Sequence, residues 1–169
     1  MSGFLALTLL SSGCSSSPPV APSNAQVSGV WLGEQTVRKF TGGECLAPVF
    51  QELLGFPSQF HATLVQSGNS VTASSDIDHT GAVCTFKGTI VGNSLVLTET
   101  GCSETHTTAL GCPNGDVRDL LPESESLHAT IDGDRITGTA IETDGVIVSG
   151  TPDRAGTFVG TSSFEMTRQ

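Results

Sequence analysis

Short runs of β-branched and aromatic residues, broken by glycine-containing turn signals, constrain this chain more than any other feature. Phe60–Val65 and Val71–Ala73 flank Ser67-Gly68-Asn69, Cys84–Val91 and Leu95–Glu99 flank Gly92-Asn93, and Leu127–Ile131 and Ile136–Ile141 flank Asp132-Gly133-Asp134. Each spacing predicts a β-hairpin, because Gly and Asn accept the backbone angles that tight reversals need. The first and third hairpins share a pattern, His61-Ala62-Thr63-Leu64 being echoed by His128-Ala129-Thr130-Ile131. A first strand around Val27–Gln35, a last around Thr157–Thr167 and an additional one at Val146–Ser149 complete the set. The expected fold is all-β: an antiparallel up-and-down meander barrel of about eight strands, the number at which a small barrel can close. A two-sheet sandwich carries the same alternation.

One segment breaks the strand pattern. Between the first two strands, Leu46, Val49, Phe50, Leu53 and Leu54 recur at helical spacing, with Pro48 suited to the first turn and Gly55 to the stop. This predicts one short helix packed across an end of the sheet as a plug. From Gly101 to Ser126 no clear strand pattern is legible, and the stretch reads as a long irregular connection, acidic in its later half. The composition limits partners as well. Seven Lys and Arg against 17 Asp and Glu give a net charge of −10, which repels phosphate backbones and excludes nucleic acid as a natural partner.

The N-terminus points to export. Phe4–Leu10 is an apolar run too short to span a bilayer, and small residues and Cys14 follow it. Leu9-Leu10-Ser11-Ser12-Gly13-Cys14, with Ser15-Ser16-Ser17-Pro18-Pro19 after it, resembles the lipobox and tether of bacterial lipoproteins. Ser11 stands where such signals usually carry Leu, and no Lys or Arg precedes the apolar run. The resemblance implies a signal peptide at 1–13, a lipidated Cys14 with a flexible Ser/Pro tether over 14–26, and a single β-barrel domain over 27–169. It also implies attachment to the bacterial cell envelope, at the outer membrane if the cell is Gram-negative.

Cys45, Cys84, Cys102 and Cys112 remain, an even number in a chain bound for an oxidising compartment, so two disulfides are expected. The hairpin at Gly92-Asn93 sets Cys84 nearly opposite Cys102, which leaves Cys45 for Cys112. Bonding of Cys102 to Cys112 within one loop competes with that pairing. The spacing of these thiols does not match a zinc site.

Gly29-Val30-Trp31 on the first strand, a meander of about eight strands, and Arg168 just past the last strand resemble the signature of calycins, the lipocalin and avidin type of barrel. The resemblance implies that Trp31 packs at one barrel end under Arg168, as architecture and not as a ligand site. No ligand-contacting motif of either family has a counterpart here.

Chemistry-bearing residues are sparse. His61 and His128 alternate with Phe60 and Leu127, so both face solvent if those apolar neighbours point inward. Asp76–Gly81 opens like a calcium loop, but its twelfth position is Lys87, where a bidentate Glu is required. Glu104 and His106 lack a neighbouring nucleophile. The sequence therefore assigns no catalytic residue, no metal site and no cofactor, and it reads as a non-enzyme. The first expectation is a binding barrel for a small apolar ligand, with Phe60, Leu64, Phe86, Phe158 and Phe164 as candidate lining residues. The second is an envelope interaction or inhibitor module whose acidic surface attracts a basic envelope protein.

Overall fold

The computed structural model describes residues 23–76, 83–103 and 108–169. The described residues form nine strands: β1 (Gly29–Gly42), β2 (Pro57–Ser67), β3 (Ser70–Asp76), β4 (Val83–Val91), β5 (Ser94–Cys102), β6 (Thr108–Gly111), β7 (Val117–Asp132), β8 (Arg135–Val148) and β9 (Arg154–Arg168). Between β1 and β2, a 3-10 turn at Glu44–Leu46 leads into a short helix, α1 (Ala47–Leu53). Every pairing is antiparallel, β1 bonds both β2 and β9, and β5 bonds β7. The result is a closed eight-stranded barrel, with β6 attached outside the circuit to the first half of β7.

Turn chemistry divides the barrel into two unlike ends. Gly68, Gly92 and Gly133 each take the first position of a two-residue loop at φ near +60°. This is the conformation that lets a hairpin reverse in step with the strand twist. All three turns lie at the end where β1 begins and β9 finishes. The longer connections lie at the other end.

The tight-turn end is sealed. Trp31 is completely buried, its indole N–H donates to the Val27 carbonyl at 2.9 Å, and the Arg168 guanidinium carbon lies 4.8 Å from the ring centre. Arg168 also donates to the carbonyls of Ser28 and Gln26 and pairs with Asp134. Residues 24–28 cross this end as a strap: Ala25 N–H donates to Gly92 O, Gly92 N–H to Asn24 Oδ1, and Val27 N–H to Gln66 Oε1. Residues 24–26, read from sequence as part of the tether, are thus bonded to the barrel.

Two apolar cores result. The barrel interior is filled from the sealed end by Trp31, Leu64, Val71, Ile90, Leu95, Ile131, Ile136, Phe164 and Met166. Strands β1, β7, β8 and β9 continue beyond the barrel, where Leu46 and Phe50 of the helical segment cover Leu120, Val146 and Phe158. A disulfide between Cys45 and Cys112 ties this second core, and Cys84 is bonded to Cys102 directly across β4 and β5.

The structure corrects three boundaries. The stretch 101–126 is not an irregular connection, because β6 and the first half of β7 pair within it. Its strand pattern is masked in sequence by Pro122 and by a bulge at Glu123, which break the alternation. Val146–Ser149 is not a separate strand, since its apolar residues continue β8. The first strand runs on to Gly42 through a bulge near Arg38, which hides its second half from a period-two reading.

Candidate functional site

Along the barrel strands other than β4, which stays apolar from Ile90 to Cys84, the inward residues change from apolar to polar on moving away from the sealed end. On β7 and β8, Ile131 opposes Ile136, Leu127 opposes Ala140, and Glu125 opposes Glu142. On β1 and β9, Trp31 and Met166 give way to Gln35 and Ser162. An internal cavity of about 140 Å³ spans this gradient. Its depth is walled by Leu64, Phe86, Leu97 and Met166, and its outer part by Gln35, Ser58, Ser75, Glu125 and Glu142.

Small residues make the space. Ala62 and Ala73 line the cavity, and Gly33 opposes Phe60, the tip of whose ring lies over the glycine. A methyl group at Gly33 would stand 2.2 Å from the Phe60 Cζ atom, so the glycine fixes where this cavity-lining ring sits.

The cavity mouth is acidic. Glu125 is half-buried, and its carboxyl is pushed up to about 7, chiefly by desolvation and then by the charges of Glu99 and Asp144. Asp144 faces inward two residues beyond Glu142 and is only 3% exposed. Burial, with the charges of Glu123 and Glu99, pushes its carboxyl up to about 6. Its Oδ1 atom is buried without a hydrogen-bond partner. Desolvation also raises Glu99. Glu123, the bulge residue, instead accepts from both terminal guanidinium nitrogens of Arg154. Gly145 leaves room for that pair, since a Cβ there would lie 2.9 Å from Glu123 Oε1. Among the described residues, no three His, Cys, Asp or Glu side chains form a group able to hold a metal ion.

The residues singled out from sequence are distributed unevenly around this site. Phe60, Leu64 and Phe86 line the cavity. Phe164 is buried in the barrel core, and Phe158 packs against Phe40 and Phe50 in the second core, away from the cavity. His61 and His128 lie exposed on the outer face of β2 and β7, strands that are not neighbours, and His61 pairs with Asp76. Cys14, Glu104, His106 and all of the Asp76–Gly81 segment but Asp76 lie outside the described residues. Sequence reasoning missed the cavity-lining carboxylates Glu125 and Glu142, and Glu99 and Asp144, whose charges reach Glu125. The available signal was acidic residues at inward positions of strands otherwise apolar on that face.

Fold and site together define a closed antiparallel barrel, sealed at one end, with an internal cavity opening toward carboxylates at the other. No protein-family model, curated protein or solved structure matches the chain.

Proposed function

We propose that the chain is an exported, calycin-like binding protein of the bacterial envelope that holds a small, largely apolar molecule inside its barrel. The observation that carries this reading is the cavity of about 140 Å³ between Phe60, Leu64, Phe86, Leu97 and Met166. A comparable apolar cavity of ~150 Å³ stays dry and takes up benzene, so the volume suits a one-ring ligand or a short branched chain. Two disulfides are compatible with an oxidising compartment outside the cytoplasm. With residues 24–28 strapped across the sealed end, an anchor at Cys14 would leave the cavity mouth directed away from the membrane.

The test is extraction of the chain purified from its own envelope, with mass spectrometry of both protein and extract. The expected result is an acylated chain beginning at Cys14 and a co-purifying small molecule that disappears from a cavity-filling Ala73→Leu variant. An unmodified N-terminus would refute the anchor. Equal recovery of the small molecule from both chains would refute binding in the barrel.

A further inference from the structure

We infer that the molecule held in the barrel is a small neutral alcohol, its hydroxyl at the outer, polar end of the cavity and its hydrocarbon part inward against Leu64, Leu97 and Met166. This rests on the reading of the barrel as a ligand-binding cavity, and it names the chemical class of the occupant.

The cavity walls divide by depth. On β2 the inward positions run Leu64, Ala62, Phe60 and Ser58 from the sealed end outward, and all of them line the cavity. On β3 Ala73 is followed by Ser75, on β7 Leu127 is followed by Glu125, and on β1 Gln35 stands opposite Ser58. These strands thus bring their first polar inward side chains to the outer part of one cavity. The inner wall offers no hydrogen-bonding side chain, so a second polar group on the occupant would be buried without a partner. One polar end and one apolar body is the complement of such a site.

The bonds already made at the polar end select a hydroxyl. Ser75 is 9% exposed and donates its hydroxyl hydrogen to the Asp76 carbonyl at 3.4 Å, which leaves its oxygen as an acceptor. Gln35 donates one amide hydrogen to Ser162 Oγ at 3.3 Å and keeps a second. Among the described residues, nothing hydrogen-bonds to the Glu125 carboxyl. The end therefore presents acceptors and a donor together. A ligand hydroxyl uses both kinds, whereas a ketone or ether only accepts and a hydrocarbon does neither.

Charge is unsuited to this position. Desolvation above all, and then the charges of Glu99 and Asp144, keep the Glu125 carboxyl protonated up to about pH 7, and Glu142 already has a partner. An anionic ligand would meet both of these cavity-lining carboxyls in a chain of net charge −10. A cationic one would give up its hydration for a carboxyl that is itself uncharged below pH 7.

The experiment titrates three probes of matched size, toluene, benzyl alcohol and benzylamine, calorimetrically at pH 6. The protein is the full chain carrying Cys14→Ser, which avoids detergent, with Glu125→Leu, Glu125→Gln or Ser75→Ala added singly. Benzyl alcohol is expected to bind about fivefold more tightly than toluene, the worth of one hydrogen bond of average net strength, and benzylamine more weakly than the alcohol. Glu125→Leu and Ser75→Ala should each remove the preference for the alcohol while still binding toluene. Glu125→Gln, which keeps a donor and an acceptor without a charge, should retain it. Toluene binding as tightly as benzyl alcohol, benzylamine binding more tightly than the alcohol, or a preference that survives in Glu125→Leu or in Ser75→Ala overturns the inference and leaves the apolar cavity standing. If none of the three probes binds, the cavity reading falls and the alcohol falls with it.

Discussion

Replacing Glu125 with Gln should make the protein more stable at pH 8 and leave it nearly unchanged at pH 4. In the folded chain the Glu125 carboxyl keeps its proton up to about pH 7, whereas its ordinary value is 4.5. Between those values the unfolded chain binds fewer protons than the folded one, so stability falls as pH rises, and the loss is complete only above pH 7. At about 1.4 kcal/mol per pH unit, the full cost of ionising Glu125 in place is about 3 kcal/mol. Gln keeps the shape and carries no charge, so Glu125→Gln should remove that cost where the wild-type group is ionised. Urea unfolding at pH 4, 6 and 8, with unchanged m-values, measures the difference directly. A gain of about 3 kcal/mol at pH 8 that shrinks toward zero at pH 4 is expected. A variant less stable than wild type at pH 8, or a difference independent of pH, would refute the placement of Glu125 in a desolvated acidic mouth.

Three further outcomes follow from the same geometry. Asp144→Asn should show the same sign of pH dependence over a lower window, from about 3.8 to about 6, in the same unfolding series. Replacing both cysteines of Cys45–Cys112 with Ser should cost about 4 kcal/mol and those of Cys84–Cys102 about 3 kcal/mol, because the first pair spans 67 residues and the second 18; urea midpoints of the two double variants test the order. Arg168→Ala should cost about 2 kcal/mol, through loss of the stacked guanidinium and its bonds to Ser28 and Gln26, and should move Trp31 fluorescence toward that of a hydrated indole.

Most of the barrel was legible in the sequence because its hairpins announce themselves. Gly68, Gly92 and Gly133 occupy positions that demand positive φ, and the segments beside them alternate cleanly between core and solvent. The helical segment was legible for a similar reason, with Leu46 and Phe50 supplying its buried face. Legibility failed where two strands bulge. At Arg38 and at Glu123 an extra residue shifts the period by one, so the second half of β1 and the first half of β7 look irregular in a linear reading. Those two halves, with β6, build the second core that captures Phe158. Without that core in view, a lone aromatic on the last strand reads naturally as a barrel-lining residue.

The candidate site was harder to see for a different physical reason. Phe60, Leu64 and Phe86 are apolar residues at inward positions, which any strand pattern exposes. Glu125 and Asp144 occupy inward positions too, but a carboxylate in a strand ordinarily marks the solvent face. Only closure of the barrel, with β5 bonded to β7, brings the charges of Glu99 and Asp144, from separate sequence regions, within reach of the cavity-lining Glu125. Gly33 illustrates the same point on a smaller scale, since its importance lies in the Phe60 ring across from it. Gly33→Ala should push that ring into the cavity and weaken binding of a neutral probe such as toluene, measured calorimetrically, while the fold persists by circular dichroism.

The proposed function requires the barrel interior to be an accessible apolar binding cavity. The most direct measurement is a toluene titration followed by NMR of methyl groups labelled in Met166, Leu64, Leu97, Val65 and Val91. Saturable shifts are expected at Met166, Leu64 and Leu97, which wall the cavity, and none at the exposed Val65 and Val91. Shifts confined to the outer valines, or absent at every methyl up to the solubility of toluene, would contradict it.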